Sequence, residues 1–237
     1  MSVSSEPIVR RKLSAEVFAR LKAMITEGEL KPGDAMPSER ELMERFGVGR
    51  PAIREAMQSL AGIGLLAISH GERARVLKMT PRSLFGQVDA AAAIMLQTSP
   101  TALDHLKEAR IFFERGLVVQ AAERATAEDV AALEALMAAQ RAALGDADTF
   151  IAADMRFHQR IAAISGNPIL EAVAESMLGW LKQYHTDLLI WTGKENLTLV
   201  EHEEIVAAIR ARDAGEAESA MVRHLERSRA LYVHQAG

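Results

Sequence analysis

Asp154 and His158 stand four residues apart in the segment "ADMRFHQRIAAISGN". Around them Ile151, Met155, Phe157, Ile161 and Ile164 read as the buried stripe of an amphipathic helix. Residues at i and i+4 share a helix face, so a carboxylate and an imidazole so placed can grip one cation. On these two residues alone the bland alternative stands beside it: a polar pair at the edge of a bundle, or a hydrogen-bonded core histidine. Two further histidines bear on the choice. His202 lies eleven residues before Asp213 and His224 eleven after it, on consecutive helical segments. At about 1.5 Å per residue each is ~16 Å from the turn, so an antiparallel hairpin sets them level. Three imidazoles and one carboxylate suit a divalent metal, zinc first, with nickel or manganese as substitutes. Such an ion can keep coordination positions open for a carboxylate or hydroxy acid. The same donor set could instead activate water in a metal-dependent hydrolase or lyase, with Glu201, Glu203 or Glu204 as general base. Those glutamates read more simply as a solvated helix face. His105, His185 and His234 have no partner by spacing and read as structural or exposed.

Helices have to carry these ligands. The body is rich in alanine, poor in aromatics and almost free of strand-like alternation after residue 80. Thr126 with Asp129 forms a capping-box pattern ahead of "VAALEALMAAQRAAL". Asp148 precedes the Asp154–His158 helix, Gly166 ends it, and Asn167-Pro168 opens the next. Asp213 and Gly215 separate the last two. About six helices are expected after residue 80, enough for an antiparallel bundle.

The first 80 residues read differently. A helix over "SAEVFARLKAMITEG" is broken by "LKPGDAMPS". A short helix capped by Ser38, with Glu41 three residues on, leads through "GVG" into "RPAIREAMQSLAGIG". "LLAIS" and "RARVL" then alternate like two strands about a turn. That order is a winged helix-turn-helix. The second helix of such a motif presents its N-terminal residues to base edges, here Arg50 and Arg54, with Arg40 on the preceding helix in reach of a phosphate or base. His70 and Gly71 form the wing tip, which can enter the minor groove.

Composition is compatible with this division. The 237 residues carry no cysteine, so disulfides and thiolate metal sites are excluded. The net charge is −4, yet residues 1–80 hold 13 basic and 10 acidic side chains and the rest 15 and 22. A mildly basic head on an acidic body fits a DNA-binding module joined to something else. With no signal-like N-terminus and no apolar run of membrane length ("AAAAIML" is too short), a cytoplasmic protein is expected.

These segments also resemble a known family. "LKPGDAMPSERELMERFGVGRPAIREAMQSLAGIGLL" and its wing are similar to the N-terminal domain of GntR-type bacterial transcription regulators. The resemblance places Arg40, Arg50, Arg54, His70 and Gly71 at operator contacts. Many relatives have Ser or Thr where this chain has Gly49. "LKEARIFFERGLVVQAAERAT", "ADMRFHQRIAAISGNPIL" and "EHEEIVAAIRARDAGEAESAMVRHL" resemble the FCD effector domain of the FadR branch. There Asp154, His158, His202 and His224 match metal ligands, and Arg110 matches an arginine suited to an effector carboxylate; its alternative role is a salt bridge to Glu114. "HGERARV", the Arg110 helix and "GNPI" are similar to the sialic-acid-responsive repressors of that branch.

The expected architecture is therefore mainly α. An N-terminal winged helix-turn-helix domain (1–78) is followed by a linker and connecting helix (79–100) and an all-α antiparallel helical bundle for effector binding and dimerisation (101–237). The resemblance implies a non-enzymatic homodimeric repressor of sugar-acid catabolism genes. Its partners would be double-stranded operator DNA and a small carboxylate effector, N-acetylneuraminate the first candidate and another small organic acid the alternative.

Overall fold

The computed structural model describes residues 13–69, 71–86, 88–182 and 194–229. The chain forms two compact units, Met1–Gln87 and Val88–Gly237, so the division falls inside the segment read as a linker.

In the first unit, helices α1 (Leu13–Thr26), α2 (Glu39–Phe46) and α3 (Arg50–Gly62) precede a hairpin of β1 (Leu66–Ala67) and β2 (Arg75–Val76). The strands pair antiparallel, Leu66 with Val76 and Ala67 with Arg75, and Ala35 bridges to Arg75. They are shorter than the alternation suggested. Leu21, Met36, Leu42, Ile53, Leu60 and Val76 close the core. Ser38 caps α2 with the full reciprocal box: its hydroxyl accepts from the Glu41 amide, and the Glu41 carboxylate accepts from the Ser38 amide at 2.7 Å. Gly47 ends α2 at φ 66°, a left-handed conformation that costs glycine nothing, and so sets the sharp turn into α3. A short helix α4 (Pro81–Gly86) follows the hairpin.

The second unit is helical throughout its described residues: α5 (Asp89–Thr98), α6 (Ala102–Arg124), α7 (Ala127–Ala142), α8 (Ala147–Ile164), α9 (Pro168–Lys182), α10 (Lys194–Ala211) and α11 (Ala214–Ser228). The segment read as a linker and connecting helix holds α4 and α5, and the described helices after residue 80 outnumber the six expected. The Thr126–Asp129 capping box is present at α7. At α8 the cap is Asp146 rather than Asp148, because its side chain accepts from the Thr149 amide and Asp148 falls in the first turn. Asn167 accepts from the Ile169 amide ahead of α9. Gly215 lies inside α11, which Asp213 caps.

The bundle core gathers Leu117, Val118, Phe157, Ile161, Ile205 and Met221. Phe157 is fully enclosed, so truncating it to Ala would cost about 3–5 kcal/mol. The α10–α11 hairpin is pinned at its turn. Arg212, at φ 56°, donates to the backbone carbonyls of Glu123 and Ala125 and so satisfies the end of α6. That anchor fixes the two helices that carry His202 and His224.

Candidate functional site

The buried stripes of α8, α10 and α11 meet around four polar residues. Asp154, His158, His202 and His224 each offer a ligand atom, and those atoms lie within 4.8 Å of one another. All four are buried, His202 completely. The Nε2 atoms of His158 and His224 are 3.3 Å apart. The Asp154 carboxylate stands 3.5 Å from His202 Nε2 and 3.8 Å from His158 Nε2. The eleven-residue spacing about the turn is realised: the His202 and His224 rings have centroids 4.7 Å apart.

The other side of each ring is held by an acceptor. His202 Nδ1 faces Gln140 Oε1 at 2.9 Å, and Gln140 Nε2 donates to Asp154 Oδ1 at 3.1 Å. His224 Nδ1 faces Glu201 Oε2 at 2.8 Å. His158 Nδ1 lies 2.5 Å from Glu114 Oε2, close enough for strong attraction although the alignment falls short of a hydrogen bond. An acceptor at Nδ1 places the proton there and turns the Nε2 lone pair inward, the arrangement by which proteins orient imidazole ligands. Phe157 stacks on the His202 ring at 4.0 Å.

This donor set passes a simple test of fit to a cation. His202 Nε2 is buried and has no hydrogen-bond partner. An unmet buried nitrogen is costly, and a shared positive ion would satisfy it. Burial pulls His202 well below the usual imidazole range, reinforced by the charge of His224, and burial lowers His224 too despite the opposing pull of Glu201. Neutral imidazole is the ligating form. Burial alone would raise the Asp154 carboxyl, but its attraction to the three histidines and Arg110 holds it below the usual carboxylate range. Glu114 behaves alike: burial opposes ionisation, yet Arg110 and His158 bring its pKa down to about 2.

Arg110 sits in the salt bridge that was its alternative role, with Nε 2.5 Å from Glu114 Oε1. The guanidinium is still close enough to act on Asp154, His202 and His224. The three glutamates considered as a general base are all engaged. Glu201 is mostly buried and accepts from His224 and twice from Arg227, against the solvated placement expected of it. Glu203 pairs with Arg141 and Glu204 with Arg223. His105 is exposed. His70, His185 and His234 lie outside the described residues.

Sequence reasoning did not single out Gln140, nor give Glu114 and Glu201 their places behind the rings. Gln140 had a usable signal. It continues the buried stripe of Leu133 and Met137 on α7, the same intrusion of a polar group that drew attention to Asp154 and His158.

The candidate nucleic-acid face belongs to the first unit. Arg50 opens α3 and Arg54 follows one turn later, both exposed. Each is held loosely by one residue not singled out beforehand: Glu39 Oε2 is 3.3 Å from Arg50 Nε, and Glu39 Oε1 is 3.4 Å from Arg54 Nε. Arg40 pairs with Glu44 at 3.0 Å. Exposed pairs of this kind contribute ~0–1 kcal/mol, so a phosphate or base edge can displace them. Gly49, at the N-cap of α3, supplies no side-chain cap and no hydroxyl. Gly71, read with His70 as the wing tip, has φ 80°, where a side chain would be strained.

Comparison with known proteins gives one family match within each unit. Residues 13–76 match the model described as bacterial regulatory proteins, gntR family, and residues 105–227 match the FCD domain. The chain is 39% identical over 227 residues to an HTH-type transcriptional repressor NanR of Enterobacter sp., covering 94% of this chain and 86% of the relative. It is 39% identical over 222 residues to the NanR of Edwardsiella tarda, covering 92% and 85%. Among solved structures, a Streptococcus agalactiae GntR superposes with a TM-score of 0.71 at 26% identity, over 92% of this chain and 99% of that one. E. coli McbR/YncC shares the fold at a TM-score of 0.52 and 21% identity, over 93% and 96%.

Proposed function

Because the chain belongs to the gntR family of bacterial regulatory proteins and carries its FCD domain, we propose that it is a homodimeric, cytoplasmic repressor whose grip on operator DNA is relieved by a small acid bound at a metal centre. It is a regulator and not an enzyme, as its relatives are named repressors. No helix among the described residues is long and apolar enough to cross a membrane.

Arg50 and Arg54 read base edges or neighbouring phosphates, Arg40 assists, and the wing of His70 and Gly71 follows the minor groove. Two copies are required for a roughly palindromic operator, because two recognition helices must meet half-sites on one face of the duplex.

The observation that carries the effector half is the convergence of three imidazole Nε2 atoms and one carboxylate in the bundle core, each ring backed by an acceptor. Asp154, His158, His202 and His224 would hold a divalent ion, zinc first, with nickel and manganese compatible with the same donors. When bound, the ion supplies a positive, Lewis-acidic contact for a carboxylate. Arg110 adds a guanidinium beside the cluster, and Glu114 holds it in place. The likeness to sialic-acid-responsive repressors makes N-acetylneuraminate the first ligand to test, ahead of other small organic acids. The acid can change operator affinity only through its different affinity for DNA-competent and DNA-incompetent arrangements.

Metal analysis joined to calorimetry tests this reading. One divalent ion per chain and stoichiometric, unmodified binding of N-acetylneuraminate to the zinc-loaded protein are expected. Equal binding to chelator-treated protein would overturn the role of the metal centre. Operator binding that answers to zinc and to no acid would make the protein a metal sensor instead.

A further inference from the structure

The three rings of the cluster are backed by different kinds of group. Glu114 stands behind His158 and Glu201 behind His224, both carboxylates. Behind His202 stands Gln140, an uncharged amide. A glutamate at that position could accept from His202 as well. It would also face the Asp154 carboxylate, to which Gln140 donates at 3.1 Å, and add a negative charge to the core.

Each of the two carboxylates that are present is matched by an arginine. Arg110 Nε is 2.5 Å from Glu114 Oε1. Arg227 donates to Glu201 twice, from Nε to Oε1 and from Nη2 to Oε2, each at 2.5 Å. The same Nη2 donates to Thr198 Oγ1 at 2.9 Å and so holds the guanidinium against α10. Arg110 and Glu114 are buried, and the Glu201 and Arg227 side chains are 12% and 21% exposed. Farther out, Lys107 is paired with Asp104 and Arg160 with Asp129. Glu195 opens α10 two turns from His202, about 10 Å off, where its charge acts weakly beside these contacts.

The two pairs cancel. Among the described residues of the cluster, Asp154 is then the one charge without an opposite of its own. With the imidazoles in their neutral, ligating form, the centre carries a single negative charge, and a divalent ion turns it into a single positive one. A net charge in a buried place is costly, so the complex of lowest free energy is the neutral one. One carboxylate completes it. A second carboxylate on the same ligand leaves a buried negative charge, and both arginines are already matched to a glutamate.

We propose that the centre selects acids carrying one negative charge, and that the pairs Arg110–Glu114 and Arg227–Glu201, with the uncharged Gln140, set that rule. The inference rests on the reading of the centre as the seat of a metal and a small acid, and it names the class of acid. The rest of such a ligand is neutral: hydroxyl, amide or hydrocarbon.

Calorimetry on the full-length, zinc-loaded protein tests it, with metal content measured before and after each titration. The probes are N-acetylneuraminate, lactate and malate. Lactate and malate share a 2-hydroxy carboxylate head and differ by one carboxylate on the methyl carbon. In water the extra carboxylate strengthens zinc binding, so the expected order is the reverse of that of the free ion: lactate favoured over malate by about tenfold or more. Two variants then move the charge in opposite directions. Glu201→Gln keeps an acceptor behind His224 and adds a positive charge; it should tighten N-acetylneuraminate and narrow or invert the preference against malate. Arg227→Gln should weaken N-acetylneuraminate, and malate still more. Both variants break the same ion pair, so a merely structural role would shift them alike. Malate held as tightly as lactate by the wild type, or variants that shift N-acetylneuraminate in the same direction, overturn the rule. Where N-acetylneuraminate binds and the two smaller acids do not, the opposite shifts of the variants decide it. If no acid binds the zinc-loaded wild type, the acid-effector reading itself fails and takes the rule with it; N-acetylneuraminate bound beside equal lactate and malate sinks the rule alone.

Discussion

In the N-terminal unit the residues proposed to meet a partner stand in water; in the C-terminal unit they lie in the core. Arg40, Arg50 and Arg54 are more than half exposed and loosely paired, Arg50 and Arg54 through one shared glutamate. Asp154, His158, His202 and His224 are buried, and their partners Gln140, Glu114 and Glu201 come from three different helices. The difference follows from the targets. A phosphate backbone is a large anion met at a surface, where flexible cations exchange one carboxylate for another at little cost. A single cation and a small acid need fixed donors at low dielectric, where an error of position is expensive. Damage to the first site should therefore be graded and salt-sensitive, and damage to the second steep.

The steepest effect is expected where two donors vanish together. His202→Ala with His224→Ala should lower metal affinity more than about a hundredfold, beyond the range seen for loss of an outer partner alone. Competition against a chromophoric chelator measures it, and full occupancy in that double variant would show that the hairpin does not deliver ligands. Gln140→Leu removes no ligand, yet it frees both His202 Nδ1 and Asp154 Oδ1. The same assay should report a loss of about 10–100-fold. If metal affinity were unchanged, the support drawn behind His202 would be idle.

In the head, Arg50→Ala or Arg54→Ala should each cost about 1–3 kcal/mol of operator discrimination if a base contact is lost. Helicity and metal affinity should stay as they are. Gel-shift titrations at several salt concentrations separate the roles: a phosphate contact lowers the salt slope by about one, while a base contact changes the preferred sequence. Unchanged affinity in both variants would move the recognition surface elsewhere. The smallest effect is structural. Ser38→Ala removes one half of the α2 capping box and should cost about 1 kcal/mol of the head's stability, read by thermal melting. Metal affinity, a property of the other unit, should not follow.

The contrast also explains what the sequence could tell. The convergence of Asp154, His158, His202 and His224 was legible because a polar residue on a buried stripe is conspicuous and because helix rise turns chain spacing into distance; His202 and His224 come level for that reason. Caps were legible where the reciprocal pattern is complete, as at Ser38 and Thr126, and missed by two residues at α8, where Asp146 and Asp148 both suit an N-terminus. The partners behind the rings were harder to see. Glu114, Gln140 and Glu201 reach the histidines across helix pairs whose rotation no local pattern states. Glu201 in particular looks like one of several surface glutamates until α11 is laid against α10 and brings His224 and Arg227 to its carboxylate. Glu39 was hidden for a related reason: its link to Arg50 and Arg54 exists only once Gly47 has turned α3 across α2.

The central claim is that metal, acid and operator are coupled through one site. Titrating N-acetylneuraminate into the protein–operator complex, with the metal present and again after chelation, tests it directly by fluorescence anisotropy of labelled operator. The account predicts release of DNA by the acid in the first titration and none in the second. Equal release in both would contradict the route through Asp154 and the three histidines, and no release in either would remove this acid as the effector.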